Sequence, residues 1–211
     1  MKAIKYIIIV FIVAFIAYNS VYFKKLDEVK ASLSQKEFNA PQYAAAFWNN
    51  KLIPNLDKAI DLTQLKTMLS SDPAKTFDMY SHALGIGNLR YFLIRGKGII
   101  ESVNENDVTV MLNVDSSKQT VTLATEYIFG NAVRDASGLI NINEFTNTMD
   151  FNNVSAEINK IIREKVLPSF KQSVKKGDVV EFTGAIELNK EHLDLSHVEV
   201  VPVQVGMSNE K

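Results

Sequence analysis

Residues 90–103 read RYFLIRGKGIIESV, and the fold turns on this stretch. Aromatic and β-branched side chains dominate it, and its period is two rather than 3.6. It predicts one long strand, bent at Gly96-Lys97-Gly98, where missing side chains allow a sharp coil. Residues 104–107 (NEND) form a turn. Val108, Val110, Leu112 and Val114 then alternate with Thr109, Met111 and Asn113, as a half-buried strand does. Residues 115–118 (DSSK) turn again, and Val121 and Leu123 alternate with Thr120 and Thr122.

Downstream, residues 126–150 show no clean period. Phe151, Val154, Ile158, Ile161, Ile162 and Val166 mark an amphipathic helix over 151–173, with Asp150 or Asn152 near its start. Val180, Phe182, Gly184, Ile186 and Leu188 share one face of a strand, with Glu181, Thr183 and Glu187 opposite. Residues 193–205 form the last strand. Its apolar phase slips between Leu195 and Val198, which predicts a bulge near Ser196-His197. Three strands, a helix and two strands, led by a long glycine-bent strand, are the order of an OB-type barrel. The expected fold class is α+β, with an OB-like five-stranded barrel or sheet (β-β-β-α-β-β) over 89–205 and an inserted segment at 126–150. An open α+β sandwich with the same order is the alternative. The helix is expected to plug the barrel, so that Val110, Leu112, Val121, Phe182 and Ile186 share a core with Val154, Ile158 and Ile161.

Upstream, residues 41–88 read as a small helical layer. Pro41 suits a first helical position after Asn39 or Ala40, and Ser71-Asp72-Pro73 is a second helix start. Residues 24–40 are polar and charged, a stalk. Lys2 and Lys5 precede an uncharged run from Tyr6 to Phe23, closed by Lys24 and Lys25. Eighteen residues at ~1.5 Å each reach roughly 27 Å, enough for the hydrocarbon core. The expectation is a transmembrane signal anchor at 6–23, with 1–5 cytoplasmic, a tail at 206–211 and the bulk of the chain extracytoplasmic. A cleaved signal peptide would need small residues at its processing site, and none is well placed around Ala17-Tyr18-Asn19-Ser20.

Composition narrows the chemistry. The 211 residues are 46% apolar and 22% charged with a net charge of -1, so no basic field for nucleic acid exists. There is no cysteine, which excludes thiol catalysis, Cys-ligated metals and a lipid anchor on cysteine within this sequence. The three histidines, His82, His192 and His197, lack ligand spacing. The sequence implies no cofactor and no metal.

Four segments together resemble a known family: FWNNKLIP at 47–54, RGKGIIESV at 95–103, the run from FGNAVRDASG to NNVSAEIN at 129–159, and GDVVEFTGAIEL at 177–188. They are similar to predicted periplasmic lipoproteins of unknown function that tend to be encoded beside sugar ABC transporters. The resemblance spans about 40–203. It implies an extracytoplasmic location and sugar ABC transporter components as partners. It implies no catalytic residues. Without a cysteine to acylate, the anchor would be the helix at 6–23.

The most unusual segment is 129–147, rich in Gly, Asn and Asp and holding one of four arginines. Arg134 offers a planar fork for a carboxylate, phosphate or sugar hydroxyl. Asn131, Asn143 and Asn147 supply donors and acceptors, and Phe145 a surface for stacking. Against that, Arg134 can pair with Asp135 or Asp150, Asp135 can cap a turn closed by Gly138, and Thr146-Asn147 can satisfy backbone groups. The binding candidates are Asn131, Arg134, Asp135, Asn143, Phe145, Thr146 and Asn147. The expected function is a non-catalytic accessory or binding module associated with carbohydrate uptake. An enzyme acting on cell-envelope glycans is a second class, but no nucleophile stands beside a base. An OB-type nucleic-acid binder is a third, disfavoured by charge and location.

Overall fold

The structure, a computed structural model, describes residues 2–20, 38–112 and 119–208. The chain forms two compact units, Met1–Phe38 and Asn39–Lys211. The first contains helix α1 (Lys2–Ser20), whose Tyr6, Phe11 and Phe15 are exposed. Among the described residues no helix is long and apolar enough to cross a membrane. The span expected at 6–23 is therefore not shown. The described helix stops at Ser20, and residues 21–37, which hold the end of that span and most of the stalk, lie outside the described residues. So do the expected turn at 115–118 and the last residues of the tail.

The second unit is built on a closed barrel. Strand β3 (Leu89–Val103) is the long bent strand. It pairs antiparallel with β6 (Val179–Asn189), from Leu89 opposite Asn189 to Ile99 opposite Val179. Its second half pairs with β4 (Asp107–Leu112), from Gly98 opposite Leu112 to Val103 opposite Val108. β4 pairs with β5 (Gln119–Ala124), which runs parallel to β7 (Glu199–Met207), and β7 returns antiparallel to β6. The five strands thus close in the order β3-β4-β5-β7-β6, and the chain is α+β with a five-stranded barrel.

The bend in β3 sits where the strand passes from β6 to β4. A Cβ on Gly96 would lie 2.5 Å from the Phe182 ring, and one on Gly98 would overlap the Met111 carbonyl and the Val110 side chain. The glycines are needed because neighbouring strands come too close for any side chain.

Two more strands, missed from sequence, extend the sheet. β1 (Ile60–Asp61) runs parallel to β3, and β2 (Ser81–His82) antiparallel to it. Two residues cannot display a period. The last strand also needs correction. It starts at Glu199, and residues 190–198 form a loop rather than a bulged strand. Asn189 Oδ1 accepts the N–H groups of Glu191 and His192, and Asp194 Oδ1 accepts the N–H and hydroxyl of Ser196. These short-range bonds replace ladder bonds. The irregularity lies instead where Thr183 faces Gln204 but Gly184 faces Pro202. Proline has no N–H for the ladder.

The helical layer has the expected starts. Asn39 accepts the Gln42 N–H at 2.9 Å at the head of α2 (Ala40–Phe47). Asp61 caps α3 (Leu62–Ser71), and Asp72 caps α4 (Pro73–Tyr80). Leu62, Leu65 and Leu69 of α3 and Phe77 of α4 join the barrel core with Phe92, Val110 and Val121. Each such side chain contributes roughly 1.5–3 kcal/mol when fully buried.

The long connection between β5 and β6 carries α5 (Ala132–Ala136), α6 (Thr148–Ile161), a π-helical turn at Ile162–Val166, and α7 (Leu167–Ser173). Pro168 has no N–H to offer the regular ladder, which accounts for the local rewinding. The expected plug is found only in part. Phe170 and Val174 belong to the barrel core, whereas Val154 and Ile158 are buried outside that cluster, on a helix that packs against α2. Ile161 is half-buried, and Ile162 is the buried residue at the start of the π-helical turn.

Candidate functional site

The segment between β5 and α6 is fastened from α6 and the π-helical turn that follows it by a ladder at helical spacing. Ser155 Oγ donates to Asn131 Oδ1 at 3.1 Å, Asn159 Nδ2 to the Gly130 carbonyl at 2.9 Å, and Arg163 Nη1 to the Ile128 carbonyl at 2.6 Å. Ser155 and Asn159 are buried. A polar residue every fourth position beside the apolar stripe at 154, 158 and 162 was visible in the sequence and was missed. Asn159→Ala should lower stability by about 1–3 kcal/mol by orphaning the Gly130 carbonyl. A urea unfolding curve would show it.

Held this way, α5 packs Ala132, Val133 and Ala136 inward and buries its two charges. Arg134 is 3% exposed and Asp135 2%. Arg134 Nε donates to Asp135 Oδ1 at 2.6 Å and Nη1 to the Phe151 carbonyl at 3.3 Å. The guanidinium carbon lies 3.4 Å from the centre of the Phe151 ring, a cation–π contact. Nη2 has no protein partner among the described residues. Among the described residues, Asp135 Oδ2 receives only a long 3.4 Å contact from the Leu84 N–H. The turn closes at Gly138, with φ +64, whose N–H donates to the Asp135 carbonyl.

A cavity of about 610 Å³ opens onto this pair, lined among others by Leu84, Ile86, Tyr91 and Phe145. Burial, then the Glu187 and Asp135 charges, pushes the Tyr91 phenol up to about 12. Phe145 makes edge contacts with Tyr43 and Phe151, each at 5.2 Å between ring centres. The Tyr43 hydroxyl donates to Glu144 Oε2 at 2.6 Å, and burial together with that carboxylate raises its pKa.

Six of the seven residues singled out from sequence line this one cavity: Asn131, Arg134, Asp135, Phe145, Thr146 and Asn147. Asn143 does not. It is exposed in a short 3-10 turn, where its N–H bonds the Asn141 side chain. Two asparagines are more committed than expected. Asn131 Oδ1 is taken by Ser155, leaving Nδ2 without a partner among the described residues. Asn147, not Asp150 or Asn152, caps α6. Its Oδ1 accepts the Asp150 N–H at 2.8 Å and its Nδ2 donates to Asp150 Oδ2 at 2.7 Å. Asp150 therefore serves the helix start rather than Arg134. Asn147→Ala should cost about 1 kcal/mol in a thermal or urea melt. Trp48 and Phe47 are buried core residues. Among the described residues, no three His, Cys, Asp or Glu side chains are placed to hold a metal ion.

Comparison with known proteins adds location and fold. The family described as "Predicted periplasmic lipoprotein (DUF2291)" matches residues 11–206. No curated protein matches the chain. The crystal structure of an OB-fold protein from Thermotoga maritima superposes with a TM-score of 0.73 at 26% identity, covering 82% of this chain and 100% of that one. The chain belongs to the family of predicted periplasmic lipoproteins, extracytoplasmic proteins associated with a membrane.

Proposed function

We propose that this family member is a non-catalytic binding module associated with carbohydrate uptake, tethered by residues 6–23 as a single-pass anchor. The observation that carries the reading is the buried Arg134–Asp135 pair at the cavity wall. Its charges cancel, which disfavours an ionic ligand. It leaves a donor, Nη2, and a weakly used acceptor, Oδ2, without a strong partner among the described residues. A neutral hydroxyl both accepts and donates and so matches that pair. Asn131 Nδ2 adds a donor, and Phe145 an apolar wall for a sugar face. The cavity volume falls within the usual range for small-molecule sites.

The partner class is tested with a photoreactive side chain in place of Ile86, which is exposed at the cavity. Crosslinking in intact membranes followed by mass spectrometry should capture a component of a sugar ABC transporter. Capture of unrelated proteins only would sink the association. The tether is tested separately by carbonate extraction, which should leave the protein in the membrane pellet.

A further inference from the structure

The loop that follows β5 holds two aromatic side chains out in water. Tyr127 is 62% exposed and Phe129 69%, with ring centres 6.4 Å apart and ring planes 26° from parallel. The backbone that carries them is fastened. Ile128 is buried between them, its N–H donates to the Glu126 carbonyl, and its own carbonyl accepts Arg163 Nη1. Lys171 Nζ reaches Glu126 Oε2 at 2.6 Å on one side, and Asn159 holds the Gly130 carbonyl on the other. Single exposed apolar residues are ordinary, but an adjoining pair on a fixed loop marks a contact surface.

The helical stretch that fastens the loop is strongly basic. Residues 160–176 contain Lys160, Arg163, Lys165, Lys171, Lys175 and Lys176 against one acid, Glu164, in a chain whose net charge is -1. All six cations are exposed. Arg163 and Lys171 border the loop through the bonds just given, and Lys160 lies one turn before Arg163 on the same helix face. Lys160, Lys165, Lys175 and Lys176 have no ion pair among the described residues. A basic run alone is commonly just a wet face. Here it flanks fixed, exposed aromatic rings, and cations beside such rings are the side-chain set that lies in a bilayer interface.

We infer that this face docks the folded domain onto a membrane surface rich in anionic phospholipid. Tyr127 and Phe129 enter the boundary between headgroups and acyl chains, and the lysines face the lipid phosphates. Charge complementarity selects the occupant. A neutral sugar would use the rings and leave the cations idle, whereas anionic lipid uses both. Lipid is also close at hand, because the family is membrane-associated. On the tether proposed above, only residues 24–38 lie between the span and the folded unit that begins at Asn39. Fully extended, they reach roughly 50 Å. A surface held that near needs little intrinsic affinity to be occupied. The tether contributes proximity only; the docking chemistry belongs to the loop and the basic helix.

The test uses the full chain reconstituted in vesicles. Phe129→Cys places one thiol in a sequence that has none, and an NBD fluorophore is attached there. The vesicles are phosphatidylcholine brominated on its acyl chains, with or without phosphatidylglycerol. With phosphatidylglycerol the label should shift to the blue and be quenched by the bromines; without it, emission should stay near that in water. Salt at 1 M, which shortens the Debye length to about 3 Å, should reverse most of the quenching. Lys160→Gln, Lys165→Gln, Lys175→Gln and Lys176→Gln together should abolish it while keeping the fold, since these side chains hold no ion pair among the described residues. Tyr127→Ser should weaken it. Carbonate extraction reports the tether and the label reports the docked face, so either can fail without the other. Four results would overturn the inference: no quenching with phosphatidylglycerol, equal quenching in both lipids, undiminished quenching in the four-lysine variant, or the same blue shift from soluble dextran sulfate in phosphatidylcholine vesicles, which would make the occupant an acidic macromolecule.

Discussion

Arg134→Met should lower the unfolding free energy by about 3–5 kcal/mol, the usual consequence of removing one partner of a buried ion pair. Methionine fills similar space, so packing loss is the smaller part. The larger part is Asp135, which is 2% exposed and would lose its 2.6 Å partner, keeping only the 3.4 Å contact from the Leu84 N–H. The Phe151 carbonyl and ring lose their cation as well. Arg134→Lys keeps the charge without the fork, so it should destabilise less, but measurably. The double variant Arg134→Met/Asp135→Leu should recover most of the loss, since replacing both charges removes the orphan. Urea unfolding of all three decides the matter. A loss below about 1 kcal/mol in Arg134→Met would show that the pair does not organise the segment.

The strands were legible because each alternates and is bounded by turn residues, and the glycines of β3 stood out against β-branched neighbours. The two-residue strands were not legible, since Ile60–Asp61 and Ser81–His82 exist only through pairing with β3. The loop before β7 misled because Leu193 and Leu195 pack on the core from irregular backbone, which imitates a strand in sequence. At the site, Arg134 was legible as a scarce arginine in a segment too apolar to be disordered. Its partner Asp135 adjoins it, and its other contacts come from Phe151, which no local pattern announces.

Phe170→Ala should cost about 3–5 kcal/mol, among the largest losses available to a single core truncation here. Phe170 is 3% exposed and lies in the cluster with Phe92, Val110, Val121 and Phe182, so its removal opens a void inside a closed barrel. A closed barrel has little freedom to collapse onto such a void, because its strands are bonded on both sides. Ile158→Ala, at a residue of α6 buried outside the barrel cluster, should cost about 2–5 kcal/mol. The two sites belong to different clusters, so their losses should add within about 0.5 kcal/mol in the double variant. Hydrogen exchange sharpens the distinction. Phe170→Ala should lower protection across β3, β4 and β6, while Ile158→Ala should act chiefly on α2, α6 and the 126–150 segment. If both variants loosened the barrel strands equally, α6 would be part of the barrel plug after all.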